Sequence, residues 1–199
     1  VEWGVSFVQD DVCQQIIGKN WKKHFPFLAT LFFFILANNV VGVIPGMKPG
    51  SGTISTTAAL AVVVFIYFIA CGVHAHGPIG YLKSLAPEGV MFPLNVLIWI
   101  IEVISTILRP ITLAIRLFCN MFAGHIVMGS FAIMVTLFAQ PLLEQVTASN
   151  VLAALPGVLF AFILMVIYAI EIFVAFVQAY VFTILTAVYI QEAEETEEE

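Results

Sequence analysis

Charge is scarce in this chain of 199 residues: Lys and Arg number 7, Asp and Glu 13, and together they supply 10% of the sequence. A soluble domain carries about 25% charged residues, so a charged, water-facing shell around a globular core is excluded. Catalytic signatures are missing too. No CxxC, HExxH, Gly-rich phosphate loop or GxSxG occurs in the sequence, and the enzyme classes built on those motifs fall away with them. The three cysteines, Cys13, Cys71 and Cys119, show no pairing pattern, and two of them lie in apolar runs. Such thiols behave as small buried hydrophobes. No basic segment with a small-residue cleavage site precedes the first apolar run, so no signal peptide is expected.

What the chain has instead is apolar surface. It is 61% hydrophobic with a mean hydropathy of +1.05, against the 45–50% apolar content of a typical soluble domain. The chain therefore belongs in a bilayer. Its net charge of −6 is local rather than general. Six acids, Glu192, Glu194, Glu195, Glu197, Glu198 and Glu199, crowd the last eight residues, and the remaining seven acids balance seven bases. The end 191–199 reads as a solvated acidic tail.

The expected architecture is an all-α integral membrane protein. Residues 1–24 mix Trp3, Val5, Phe7, Val8, Val12, Ile16 and Ile17 with Asp10, Asp11, Gln14 and Gln15, the composition of an amphipathic helix lying at the interface. Trp21, Lys22 and Lys23 anchor the entry to the first span at headgroup level. Two ordinary spans are expected at 25–45 and 54–73 within a segment 25–78, each near the ~20 residues that cross ~30 Å of hydrocarbon. Asn38 and Asn39, at the far end of the first, are expected to face protein, and "GMKPGSGT" is a turn. Thr53, Ser55, Thr56 and Thr57 open the second span with hydroxyls, either bonded within the helix or bordering an ion path. His74 and His76, two residues apart, share no helical face and read as interfacial.

Segment 79–190 is different. After a polar surface stretch, residues 90–138 and 151–190 stay apolar for about 49 and 40 positions, roughly twice a membrane thickness at 1.5 Å per residue. No turn-like polar stretch divides them. Two long, steeply tilted helices joined near 139–150 are expected, with a broad flank facing something other than lipid. Lys19, Lys22, Lys23 and Lys83 fall on one side and Lys48 alone on the other. The positive-inside rule then puts the first side, and with it the acidic tail, in the cytoplasm.

Inside those runs lie ionisable residues that hydrocarbon penalises. A guanidinium at mid-membrane costs roughly 3 kcal/mol on insertion scales, and arginine is effectively never deprotonated. Yet Arg116 sits within "ITLAIRLFCNMFAGH". Glu102, Arg109 and Arg116 are spaced by seven, so they drift about 20° per step and form one stripe, with Asn120 on it. His125, nine residues beyond Arg116, faces away. Glu171 and Gln178, again seven apart, share a face of the second long run.

One reading is internal pairing. Seven residues span about 10 Å of rise, which argues against contact between Glu102 and Arg109, while Glu171 with Arg116 remains open across the hairpin. The other reading is a path, because polar groups gathered at membrane depth mark ion routes by default. Glu102 on one side, and His125 with Glu171 on the other, would be two half-paths, with Asn120, Gln178 and Ser105 gathered at similar depth. Arg116, which cannot relay a proton, interrupts them. A proton then passes only on a moving carboxylate whose ionised form Arg116 stabilises, and that acid must belong to another subunit.

With "LRPITLAIRLFCNMFAGH", Glu102 fourteen residues before the arginine, and "EIFVAFVQAYVFTILTAVYI" near the end, the chain resembles subunit a of the F-type ATP synthase membrane sector over nearly its whole length. The resemblance implies that Arg116 faces the carboxylates of a rotating c-ring. It implies that Glu102 and Ser105 belong to the cytoplasmic half-channel, and Asn120, His125, Glu171 and Gln178 to the opposite one. Some family members exchange the pair, with Glu at the position of His125 and His at that of Glu171. Implied partners are the c-ring, peripheral-stalk b subunits and membrane lipid in a hetero-oligomeric complex, with no nucleic acid. The chain is expected not to be an enzyme on its own and to need no cofactor or metal. The implied location is a bacterial plasma membrane. Two departures stand out: family members carry a further helix ahead of the amphipathic segment, and Cys119 stands where Gly or Ala is expected.

A self-contained secondary transporter and a haem-binding anchor are the competing classes. The first calls for internal repeats with broken helices, and the sequence shows no convincing repeat. The second calls for a facing histidine pair, which His24, His74, His76 and His125 do not supply.

Overall fold

The structure is a computed structural model and is described for residues 6, 8–17, 21–44, 46–47, 50–77, 80–81, 94–144 and 148–194. Within them the molecule is helical, with no strand. A short N-terminal helix of π type, Val8–Ile17, comes first. Four long helices come after it: α1 (Trp21–Val43), α2 (Ile54–His76), α3 (Leu94–Glu144) and α4 (Ala148–Glu194). All four are long and apolar enough to cross a membrane.

Local sequence accounts for the breaks. After α1 the chain turns through Gly46, whose φ of +87° suits a residue without Cβ, and then through a 3-10 turn, Gly50–Gly52. Gly77 ends α2 with φ +76° and ψ 164°, a backbone conformation that favours glycine, and its N–H donates to the Val73 carbonyl at 2.8 Å. The hydroxyls at the start of α2 are satisfied locally. Thr57 donates to the Ile54 carbonyl at 3.1 Å, Thr53 donates to the Gly50 carbonyl at 3.1 Å, and Thr53 and Thr56 share a bond of 2.8 Å. These are short-range bonds within the turn and the first turn of the helix, and none is a side-chain cap on a helix N–H.

The two short spans and the two long ones are unequal partners. Helices of 51 and 47 residues are about 76 and 70 Å long at 1.5 Å per residue, whereas α1 and α2 have 23 each. The start of α1 meets the end of α4, since His24 lies against Glu194. The end of α1 reaches only to the middle of α4, where Asn39 donates to the Ala175 carbonyl at 3.5 Å. Among the described residues the remainder of α4 has only α3 beside it, with Phe160 stacked on Phe138 at 5.5 Å.

The core follows that geometry. Phe32 of α1, Phe68 of α2, Leu113 and Leu117 of α3, and Phe182 and Ile190 of α4 are buried together. Ala175, Ala179 and Ala187 are buried on α4, small residues of the kind that let membrane helices approach closely. In the most apolar windows, 39% of α1 is buried by the chain itself but only 17% of α3 and 11% of α4, so the long hairpin depends most on what surrounds it.

Several expectations meet the structure directly. Asn39 faces protein: it is buried and accepts a bond from Ser51 at 2.7 Å. Asn38 folds back on its own helix, donating to the Phe34 carbonyl at 2.8 Å. The N-terminal helix packs on α1 and α4 and contributes Val8 and Cys13 to the core. The acidic end differs from the solvated-tail reading, because α4 continues through Glu194. Glu192 pairs with Arg109 and Glu194 with Lys23, so bases from elsewhere in the fold meet acids that composition assigns to water alone. Residues 82–93, with Lys83, and residues 195–199 lie outside the described residues, as do Lys19 and Lys48.

Burial of the N-terminal helix pushes the Cys13 thiol up to about 11 from 9.0. At pH 8 its thiolate fraction is then about a hundredfold below that of an ordinary thiol. In a Cys71→Ser, Cys119→Ser chain, iodoacetamide labelling of Cys13 is expected to be at least that much slower than for free cysteine. It should accelerate about tenfold per pH unit up to about pH 11. Labelling at the free-cysteine rate would mean that this helix does not hold its place against α1 and α4.

Candidate functional site

The polar residues of the long helices fall into three groups along the hairpin. The first lies near the start of α3 and the end of α4. Arg109 donates to Glu102 at 2.8 Å and to Glu192 at 2.7 Å, and its guanidinium lies 5.3 Å from the Tyr189 ring centroid. The argument that seven residues keep Glu102 and Arg109 apart therefore fails. Backbone rise separates them by about 10 Å, but two long side chains reaching toward each other close the gap. Arg109 is only 17% exposed in its side chain, so this bridge is sheltered from water more than a surface pair would be. Ser105 lines an open groove of about 360 Å³ with Ile101, Ile104, Leu108, Arg109 and Thr112.

Arg116 forms the second group alone. It is exposed on the α3 flank beside Ile111, Ile115 and Phe122, also exposed. Its chain neighbour Leu117 is buried against α1 and α2. Among the described residues Arg116 has no ion-pair partner within 4.0 Å. The Glu171–Arg116 pairing left open by the sequence is thus not made.

The third group lies between α3 and α4. Glu171 is 8% exposed and Gln178 likewise. A Cβ added at Gly124 would collide with the Glu171 carboxyl group, so Glu171 reaches α3 only because residue 124 lacks a side chain. Its neighbour His125 is half-buried. Asn120 Nδ2, His125 Nε2 and Gln178 Nε2 are all buried without a hydrogen-bond partner among the described residues. Three such nitrogens on two neighbouring helices are exceptional, because buried polar groups are nearly always bonded. Water is the usual partner in such a setting.

The structure thus brings Glu102 and Ser105 to one end and Asn120, His125, Glu171 and Gln178 to another stretch, with Arg116 alone on the flank. Sequence reasoning passed over Gly124, whose role comes from a neighbour 47 positions away, and Glu192, which it assigned to the tail. It also passed over Asn39 as a site neighbour, although Asn39 donates to the backbone of Ala175, between Glu171 and Gln178. Chemically the set offers titratable carboxylates and an imidazole on either side of a charge that does not titrate.

Comparison with known proteins agrees over most of the chain. Residues 1–191 match the ATP synthase A chain family. The chain is 38% identical over 187 residues to ATP synthase subunit a of Chloroherpeton thalassium, covering 94% of this chain and 52% of that one. It is 38% identical over 192 residues to ATP synthase subunit a of Hyphomonas neptunium, covering 96% and 72% respectively. For ATP synthase subunit a of Nocardioides sp. the identity is 39% over 191 residues, covering 94% and 67%. The chain spans about half the length of the Chloroherpeton protein.

The contact between Gly124 and Glu171 is testable by itself. Gly124→Ala is expected to lower the thermal stability of the chain in detergent, and Glu171→Gly to remove most of that penalty. A double-mutant cycle should give a coupling of about 0.5–3 kcal/mol. Additive effects would mean that the carboxyl group does not rest on Gly124.

Proposed function

The chain belongs to the ATP synthase A chain family, and from that premise we propose that it is the proton-translocating stator subunit of the membrane sector, with Arg116 as the fixed charge between two half-channels. The observation that carries this reading is Arg116 itself: exposed, on an otherwise apolar flank, and without an anion among the described residues. Such a charge in hydrocarbon needs a partner from outside the chain. The chemistry that suits it is a carboxylate carried past on a neighbouring ring of c subunits.

Magnitudes favour the assignment. Two unit charges about 4 Å apart attract by about 4 kcal/mol at an effective dielectric constant near 20, comparable with the roughly 3 kcal/mol cost of the buried guanidinium. At 1.36 kcal/mol per pKa unit, that attraction lowers the passing acid's pKa by about three units and drives its proton off. Arginine takes up no proton in exchange. A proton therefore crosses only by riding the ring, and the path does not leak. One charge falling through 100 mV releases about 2.3 kcal/mol, so several crossings serve each ATP and leakage would be costly.

Glu102 and Ser105 then serve the cytoplasmic half-channel, and Asn120, His125, Glu171 and Gln178 the opposite one. The unpartnered nitrogens of Asn120, His125 and Gln178 support a water-lined route there. Helices more than twice the hydrocarbon thickness support a steep tilt of α3 and α4 against the ring. The uncovered flank of this hairpin is the surface offered to it. The peripheral-stalk b subunits and lipid cover the rest. The N-terminal helix lies at the interface, and the membrane is a bacterial plasma membrane with the C-terminus in the cytoplasm.

Arg116→Ala in the assembled complex, reconstituted in vesicles, is expected to abolish proton-driven ATP synthesis and ATP-driven proton pumping while the subunit still inserts. Immunodetection of the subunit in the purified complex checks insertion, and a pH-sensitive dye inside the vesicles checks pumping. Normal proton-driven synthesis by this variant would overturn the assignment.

A further inference from the structure

The end of the bundle where α1 begins and α2 and α4 finish holds a cluster that proton transfer does not use. His24 of α1, Cys71 of α2 and Glu194 of α4 each direct one donor atom to a common point, and these atoms lie within 4.8 Å of one another. His24 is fully buried, Cys71 is 7% exposed, and the Glu194 side chain is 15% exposed. The set offers one imidazole nitrogen, one thiol sulfur and one carboxylate oxygen.

The environment of His24 favours a cation over a simple ion pair. Its Nδ1 lies 3.0 Å from the Tyr67 hydroxyl, and Tyr67 is held by stacking on Phe27 with ring centroids 3.8 Å apart and planes within 9°. With Nδ1–H donating to that hydroxyl, Nε2 presents a lone pair to the cluster. Nε2 lies 3.1 Å from Glu194 Oε1, yet it has no hydrogen-bond partner among the described residues. A lone pair facing a carboxylate in a buried setting is repulsive unless something positive lies between them. Lys23 is 3.8 Å from Glu194, but its side chain is 58% exposed, and it approaches the carboxylate rather than the imidazole or the thiol.

We propose that His24, Cys71 and Glu194 form a binding site for a divalent cation of the zinc class. Nitrogen, sulfur and carboxylate oxygen are the three donor types zinc accepts, at about 2.0–2.3 Å. Hard ions such as Mg²⁺ and Ca²⁺ prefer all-oxygen sites. Tetrahedral bonds of that length set donor atoms about 3.5 Å apart, which small side-chain rotations reach from the observed spread. Tyr67 is the outer partner that fixes the imidazole tautomer, as metal-ligating histidines require. On binding, the Cys71 sulfur bonds the metal and its proton leaves to solvent. A fourth position stays open to water. The ion ties together the ends of three helices whose ligands are up to 170 positions apart in the chain, which is why no spacing motif announces it.

The test is titration of the full, untagged chain in detergent with Co²⁺, which reports thiolate ligation through a sulfur-to-cobalt charge-transfer band. The expected result is one saturable equivalent, displaced by Zn²⁺, with the band unchanged in Cys13→Ser and Cys119→Ser and lost in Cys71→Ser. His24→Gln removes the band independently and serves where Cys71→Ser does not fold. Tyr67→Phe should keep the band but weaken Zn²⁺ binding about 10–100-fold. No saturable band, or a band that survives in both Cys71→Ser and His24→Gln, would overturn the proposal.

Discussion

A guanidinium that cannot shed its proton, set on a flank of isoleucine and phenylalanine, is the constraint around which this chain is arranged. Hydrocarbon supplies no counter-charge, and the carboxylates among the described residues lie elsewhere. Glu102 and Glu192 are held by Arg109, Glu194 is paired with Lys23, and Glu171 rests against Gly124. The absence of a side chain at residue 124 gives the Glu171 carboxyl group its place against α3.

The same economy governs the end of the bundle where α1 begins. Helices α1 and α2 are each half the length of the helices they brace, so they cover one end of the hairpin and leave the other to its surroundings. Bracing there is ionic as well as apolar. Arg109 joins two helices through two carboxylates and an aromatic ring. Arg109 is the sheltered member, so losing both carboxylates would strand a largely buried charge, which is more damaging than losing a surface pair. A firmly tied end and a loosely covered flank fit the role proposed above, in which a ring of c subunits moves past that flank.

Much of this was legible in the residues. Uninterrupted apolar runs announced helices too long for simple spans, and the seven-residue spacing of Glu171 and Gln178 put both on one buried face. Arg116 stood out because its cost in hydrocarbon is independent of context. Other features were hidden for definite reasons. Glu102 and Arg109 were judged too far apart because rise along a helix counts backbone, not the reach of side chains. Glu192 and Glu194 were assigned to water because a run of acids carries no sign of the bases that meet it across the fold. Gly124 was silent because its meaning is the shape of a space, and the space belongs to another helix.

Taken alone, the sequence determined the quantities that are sums or periods along one chain: membrane residence, helix count and length, the shared face of each helix, and the one charge with no local answer. Hydrophobicity and helical period are local properties, so they survive without coordinates. Only the tertiary structure decided which polar groups meet: Arg109 with Glu102 and Glu192, Glu171 with Gly124, and His24 with Cys71 and Glu194. Those meetings depend on how far one helix slides along another, and that register is set by small residues, rotamers and helix lengths acting together, which no single stretch of sequence encodes.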